Sequence, residues 1–301
     1  MGLFDLNKNG TAQPTAAETQ TLYFTETGLP NEDFLNRQTE ITQGEYDDLR
    51  MALRTADAIY CPFSLRTGEP YLYMDVLQDQ EGFGFGKPRI QLWTEQENDR
   101  LSPLFAKPDV EVVRIPAGQE GRGIVAFLGM AFYENGAEFA IINGVNFPVA
   151  AGDILPKPDF SQIPEPMRPV MNPQLMCWQC LLAQLIGQEN PMVHTLDQLY
   201  TDCFGKALLS ATVLIPLRPE GNHQFSLPAW PGRNGREFVR VFTDLRRLYK
   251  EMDPEKQWNS HPETVGHLIR QYDVALNSNN SFRNLGIYID QAFYEDLSKP
   301  V

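Results

Sequence analysis

Apolar and polar residues alternate at period two in two stretches that both end on Thr: Arg89-Ile90-Gln91-Leu92-Trp93-Thr94 and Phe238-Val239-Arg240-Val241-Phe242-Thr243. Such alternation marks a strand with one face in a core. The pattern then changes to helix-opening chemistry. A Thr hydroxyl can accept from an orphan N–H of the next turn, so Thr94 and Thr243 read as N-caps. Glu97 completes a capping box after Thr94. Asp244 sets a negative charge beside the positive end of its helix. The chain is organised around this strand–helix junction, which occurs twice.

Around the first junction, Thr42 and Glu45 have capping-box spacing and open a helix whose Tyr46, Leu49 and Leu53 share one face. Ala58 to Phe63 reads as a strand closed by Pro62, and Tyr71 to Leu77 as another. Gly82, Gly84 and Gly86 precede a strand, not a helix, so they suit a hairpin connection and not a phosphate loop. Val110 to Pro116 is a strand. Residues 124–133 suit a helix stopped by Asn135-Gly136. Phe139 to Ile142, Asn143-Gly144 and Val145 to Val149 carry a hairpin signal. Pro156, Pro158, Pro164, Pro166, Pro169 and Pro173 exclude helix and central strand, so a linker follows. Helices are expected from Pro173 to Gly187 and from Leu196 to Leu209.

The second set begins at Ala211-Thr212-Val213-Leu214-Ile215-Pro216-Leu217, which matches Asp57 to Phe63 position for position. Phe242-Thr243 matches Trp93-Thr94, and Leu285-Gly286-Ile287-Tyr288-Ile289 is set against Asn143 to Phe147. The offset falls from 154 to 149 to 142, as longer loops in the first copy would give. Landmarks recurring in order indicate a duplication. The expected architecture is α+β: two related mixed-sheet units with helices on one face. A mobile lead-in over 1–40 precedes a first unit over 41–156. A Pro-rich linker over 157–173 joins it to a second unit over 174–301 with its leading helices.

These landmarks resemble the SseB-type domain, named after enhanced serine sensitivity in bacteria. The second copy carries Leu214-Ile215-Pro216-Leu217, Val239 to Asp244 and Leu285 to Ile289. The first carries Ile59 to Phe63, Leu92-Trp93-Thr94 and Ile141-Ile142-Asn143-Gly144. Members commonly have Asn-Pro in the last strand, where this chain has Asn143-Gly144 and Leu285-Gly286. The resemblance implies no catalytic residues. It implies a domain of unknown biochemical function, with some relatives near secretion or toxin systems.

Charge and cysteine content narrow the functional classes. A net charge of −14 repels phosphate backbones, so nucleic acid is not an expected partner. No apolar run approaches the ~18 residues of a membrane span. Met1 to Leu6 is too short and acidic for a signal peptide, so a cytoplasmic protein is expected. Asp5, Asn7, Asn9 and Gly10 open like a calcium loop, but Ala16 stands where the bidentate Glu belongs. Cys177-Trp178-Gln179-Cys180, with His194 and Cys203, offers zinc ligands or a redox pair. The surrounding Leu175, Met176, Leu181, Leu182 and Leu185 favour buried, reduced thiols in a helix. Cys61 and Cys203 lack a placed His. Glu134 and Glu138 flank a helix stop and read as turn solvation. No catalytic residue, cofactor or metal is assigned.

Arg233, Arg236, Arg240, Arg246, Arg247 and Lys250 cluster against the overall charge. They form a solvated face, or a patch meeting an acidic partner or the acidic rest of the molecule. Trp230, between Pro228 and Pro231, and Trp258 are loop aromatics that either pack locally or anchor a partner. Trp230, Trp258, Arg236, Arg240, Arg246 and Arg247 are therefore the candidate protein-binding residues. The reading is a non-enzymatic protein-binding or scaffolding protein taking a protein or peptide by strand addition. An immunity- or secretion-associated role is its narrower form. The alternatives are a hydrolase with a cleft between the units and a Cys/His metal sensor.

Overall fold

The computed structural model describes residues 41–79, 82–94, 109–118, 122–145, 147–185, 193–221, 224–252, 258–277 and 285–297. The lead-in, the calcium-like loop and the segment after Thr94, with Glu97, lie outside them. Helix α1 (Gln43–Thr55) starts as its capping box dictates: Thr42 accepts from the Glu45 N–H, and Glu45 returns to the Thr42 N–H at 2.7 Å. Its apolar face buries Leu53, with Tyr46 and Leu49 beside it.

Strand β1 (Ala58–Ser64) does not stop at Pro62 but runs through it. Pro62 takes a Tyr71 N–H on its carbonyl side, where β4 no longer pairs, so its missing N–H breaks no ladder bond. The segment 71–75 holds one bridge, Tyr73 to Arg89, and no strand. The hairpin instead pairs β2 (Val76–Asp79) with β3 (Gly82–Phe85), so Gly82 and Gly84 are within a strand and Gly86 follows it. Strand β4 (Arg89–Thr94) follows, then β5 (Val110–Pro116). Helix α2 (Ile124–Gly129) widens into a π turn over Met130–Glu134 and ends at Gly136, with φ +80°. Next come β6 (Phe139–Ile142), β7 (Pro148–Ala150) and α3 (Ala151–Ile154).

After the proline-rich stretch, α4 (Pro173–Leu185) and α5 (Val193–Leu209) lead to β8 (Thr212–Gly221), β9 (Gln224–Ser226) and β10 (Ala229–Pro231). Then follow β11 (Glu237–Val241), α6 (Leu245–Glu251), β12 (Asn259–Thr264), α7 (Val265–Leu268), β13 (Asp273–Leu276), β14 (Ile287–Ile289) and α8 (Gln291–Leu297). The fold is α+β with mixed sheets.

The first sheet has the order β5-β1-β4-β6-β7. Its pairings are antiparallel, antiparallel, parallel and antiparallel. The later strands form β12-β8-β9 and β10-β11-β13-β14, joined by the antiparallel bridge between Leu214 and Phe242. Along β12-β8-β11-β13-β14 the senses recur: antiparallel, antiparallel at the bridge, parallel, antiparallel. The bridge sets Leu214 against Phe242 as β1 sets Tyr60 against Trp93.

The pairing corrects the third sequence landmark. Leu92 lies opposite Ile142, and Val241 opposite Leu276, so the counterpart of Asn143 is Asn277 and not Leu285. Both asparagines are left-handed, at φ 53° and 47°. The Asn143 side chain accepts from the Thr94 N–H at 2.8 Å, and that of Asn277 from the Thr243 N–H at 3.1 Å. The Asn143-Gly144 turn itself stands where the signal put it: Gly144 is also left-handed at φ 70°, the Val145 N–H closes on the Ile142 carbonyl at 3.0 Å, and β6 pairs antiparallel with β7. Only its match to Leu285-Gly286 is corrected. The Thr assignments change accordingly: Thr243 is held by Asn277, and Asp244 is the N-cap of α6, accepting from the Arg247 N–H at 2.9 Å.

Helix α4 lies between two cores. Met176, Cys177, Cys180 and Leu181 join the first, with Ile59, Ile90, Leu92 and Phe132. Leu175 joins the second, with Phe204, Val213, Val239 and Val274. Contact on both sides explains why this helix is apolar nearly all round. Its polar residues are satisfied in both directions. Gln184 bonds the Leu72 backbone at N and O, while Gln179 accepts from Asn277 at 2.9 Å.

Candidate functional site

In the second set of strands, Val239, Val241, Val274, Leu276 and Ile289 point into the core. Their alternates therefore face outward, and the outer face carries Trp230 on β10, Phe238 on β11 and Tyr288 on β14. The rings form a row across the strands. Trp230 stacks on Phe238 at 5.7 Å and 27°, and Phe238 meets Tyr288 edge-on at 5.7 Å. All three remain partly exposed. Trp230 was expected in a loop. It lies in a strand because Ala229, Trp230 and Pro231 pair with Val239, Phe238 and Glu237.

The arginines around this row differ in how they are held. Arg236 donates to Asp273 at 3.0 Å, to Gln291 at 3.0 Å and to the Ile269 carbonyl at 2.9 Å. Asp273 also accepts from the Tyr288 hydroxyl at 2.8 Å. Burial, together with Asp273, keeps that phenol above its ordinary range. Arg240 lies against the Phe242 ring and 3.9 Å from Glu251; burial lowers its pKa. Arg233, exposed, lies 4.9 Å above the Tyr288 ring. Among the described residues no carboxylate pairs with it. Sequence reasoning named Trp230, Arg236 and Arg240 but missed Phe238 and Tyr288, which read as strand residues until the pairing shows their common face.

Arg246 and Arg247 do not join this face. Asp244 caps α6 and pairs with the Arg247 guanidinium. The same helix turn sends both arginines to the first half of the chain. Glu69, 3% exposed at its side chain, pairs with Arg246 at 3.0 Å and with Arg247 at 3.1 Å. Arg246 also reaches Glu134 at 2.6 Å, and Asn135 bridges Glu69 and Arg247 at 2.9 and 2.6 Å. Burial alone would raise the Glu69 pKa, but Arg247, Arg246 and the Asn135 bond outweigh it and hold the carboxyl below its usual range. Asp244 is likewise held low: Arg247 and the Arg247 N–H outweigh its burial. These arginines meet the acidic rest of the same molecule. Arg247 is 4% exposed and Arg246 is bonded to two carboxylates, so both are engaged within the chain. Glu134 is an ion-pair partner here and not turn solvation; Glu138 pairs with Lys87 at 2.9 Å. Trp258 packs against the cluster of Leu214, Phe242, Leu248 and Met252.

The thiols lie in apolar surroundings. Cys61, Cys177 and Cys180 are buried, and Cys203 is partly so. Burial pushes Cys180 up to about 12 and raises Cys177 well above a free thiol. Among the described residues no group of three His, Cys, Asp or Glu could hold a metal ion. The His194 side chain is outside them. A cavity of 390 Å³ opens between α7 and α8, lined by His267, Arg270, Tyr294 and Glu295 among others. Its His267 lies 2.8 Å from Glu263. It belongs to the second half alone and is not a cleft between the two sets of strands. No described helix is long and apolar enough to cross a membrane.

No curated protein matches the chain. Among solved structures, one described as Anabaena Tic22 (protein transport) is 12% identical over 87% of this chain and 100% of that one. Its TM-score of 0.18 carries no structural argument. The family model described as SseB protein N-terminal domain matches residues 195–293, from α5 through β14 into α8.

Proposed function

We propose that the protein is a non-enzymatic protein-binding or scaffolding protein built from two related α+β units, over 41–156 and 174–301. The carrying observation is the outward row of Trp230, Phe238 and Tyr288 with arginines at its rim. Aromatic and Arg side chains in this combination dominate the energetics of protein interfaces. Relatedness of the units draws support from the matching order and sense of strand pairing and from the paired Thr–Asn junctions. The buried ionic network from Glu69 to Arg247 fixes one unit on the other, which suits a scaffold. A place beside secretion or immunity systems is a narrower form resting on the family resemblance, and a cytoplasmic setting one resting on the start of the sequence.

The test is affinity capture of the full chain from cells that make it, with mild cross-linking and mass spectrometry. Near-stoichiometric recovery of one protein, lost in a Trp230→Ala variant, is the expected result. Recovery of the chain alone with a retained metabolite would overturn the reading in favour of an enzyme.

A further inference from the structure

We infer that the outer face formed by Trp230, Phe238 and Tyr288 receives an extended peptide segment bearing carboxylates, with Arg233 as the anion contact. This rests on the protein-binding reading and adds the chemistry of the partner. Three observations converge.

The first concerns charge. Arg236 is already ion-paired with Asp273 and also donates to Gln291 and the Ile269 carbonyl. Arg240 is half-buried near Glu251, and Arg246 and Arg247 are committed to Glu69, Glu134 and Asp244. Arg233 alone of this group is exposed on the face and, among the described residues, lacks a carboxylate partner. Its guanidinium lies on an aromatic face, which leaves the N–H edge for a planar acceptor.

The second concerns preorganisation. The loop that carries Arg233 is closed by Gly232 N–H to the Arg236 carbonyl at 2.8 Å and Arg236 N–H to the Arg233 carbonyl at 3.1 Å. The Arg233 N–H also donates to the Tyr288 hydroxyl at 3.3 Å. A Cβ at Gly232 would stand 2.7 Å from both the Arg236 carbonyl and the Tyr288 hydroxyl. The cation is thus held over the ring before any ligand arrives, which lowers the ordering cost of binding.

The third concerns shape. The aromatic row begins on β10, an edge strand on which no described strand pairs from outside. An edge offers backbone groups to an extended chain, whose outward side chains would stand beside Trp230, the first ring of the row. The occupant this selects is an extended acidic segment of a partner protein.

The experiment uses fluorescence anisotropy of labelled peptides of about ten residues, longer than the edge strand they would pair with by strand addition. One alternates Val with Glu, one Val with Gln, one Val with Lys. Expected is binding of the Glu peptide, binding at least about tenfold weaker for the Gln peptide, and weaker still for the Lys peptide. Arg233→Gln, an exposed and structurally mild change, should weaken the Glu peptide about tenfold and leave the Gln peptide unchanged. Trp230→Ala should weaken both. Equal binding of the Glu and Gln peptides, binding of none, or indifference to Arg233→Gln would overturn the inference. If the cellular partner is captured equally by wild type and by Arg233→Gln, the acidic-segment inference fails and protein binding stands. If no protein is captured at all, the underlying reading fails.

Discussion

Glu69→Gln tests the ionic joint most directly. The carboxylate is 3% exposed and lies 3.0 Å from Arg246 and 3.1 Å from Arg247, with Asn135 donating at 2.9 Å. Gln keeps the shape and removes the charge. Arg247, 4% exposed, would then have Asp244 as its only remaining carboxylate contact among the described residues. Breaking a buried pair by deleting one partner costs roughly 3–5 kcal/mol. Because Asp244 still neutralises Arg247 and Glu134 still meets Arg246, the lower end applies, about 3 kcal/mol at neutral pH.

The same site fixes the pH dependence. Burial disfavours the Glu69 anion, and Arg247, Arg246 and Asn135 more than offset this, so the folded carboxyl titrates below its unfolded value of roughly 4.3. Its stabilising contribution is present above that unfolded value and drains away as pH falls through the folded one. The variant has no such proton to bind. Asp244, which shares Arg247 with Glu69, titrates in both proteins. The gap between wild type and Glu69→Gln should therefore be widest at neutral pH and shrink in acid. Urea unfolding followed by tryptophan fluorescence, at neutral pH and at about pH 3, below the unfolded carboxyl value, measures it. A neutral-pH gap below about 1 kcal/mol, the scale of an exposed pair, or a gap that does not narrow in acid, would refute the account.

Three further outcomes follow from local geometry. Asn277→Ala strands the Thr243 N–H and places Ala at a left-handed φ of 47°, which should cost about 2–3 kcal/mol in urea unfolding. Asn143→Ala should cost less, because Asn277 also donates to Gln179 at 2.9 Å across the helix between the cores. Gly136→Ala would set a Cβ 2.3 Å from the Pro173 carbonyl at a φ of +80°, so a loss of at least about 2 kcal/mol and a lower melting temperature are expected. Iodoacetamide should modify Cys203 first, with Cys177 and Cys180 reacting only on unfolding, since burial holds both thiols protonated. Rapid native labelling of either, or one equivalent of zinc in the purified protein, would restore the metal reading.

What the sequence disclosed depended on whether the signal was local. The capping box at Thr42 and Glu45, strand Val110–Pro116 and the left-handed stop at Gly136 are properties of a few consecutive residues, and each stands where it was expected. The strand through Pro62 was cut short because its tolerance depends on which edge of β1 is paired. Arg246 and Arg247 could be seen as a cluster, but Glu69 is 177 positions away from Arg246, and nothing local marks it among the other carboxylates. Phe238 and Tyr288 were hidden for the same reason: each alternates correctly for a strand, and only register places them side by side.

The Thr–Asn junction shows why the landmarks were nearly but not wholly legible. Thr94 ends β4 and Thr243 lies two residues beyond β11, each just past the last parallel pair, where the ladder no longer takes up the N–H. A side-chain acceptor from the parallel neighbour must replace it. Asn at the end of β6 or β13 does so while its own N–H closes on Leu92 or Val241, at 2.8 Å in both cases. Only a residue that tolerates a left-handed backbone and carries a short carbonyl can do both. The constraint common to both junctions is therefore on Asn143 and Asn277, while Gly144, left-handed at φ 70°, serves the turn that follows Asn143. An alignment anchored on Asn-Gly slips, whereas one anchored on Thr with its Asn keeps β4 with β11 and β6 with β13. If the units share an ancestor, as proposed, exchanging the two Asn-containing turns should leave each Thr N–H bonded. Retained amide protection at Thr94 and Thr243 in hydrogen exchange would then be expected. Loss of protection at both, in a chain that still folds, would mean that the two junctions resemble each other only by convergence on the same hydrogen-bond problem.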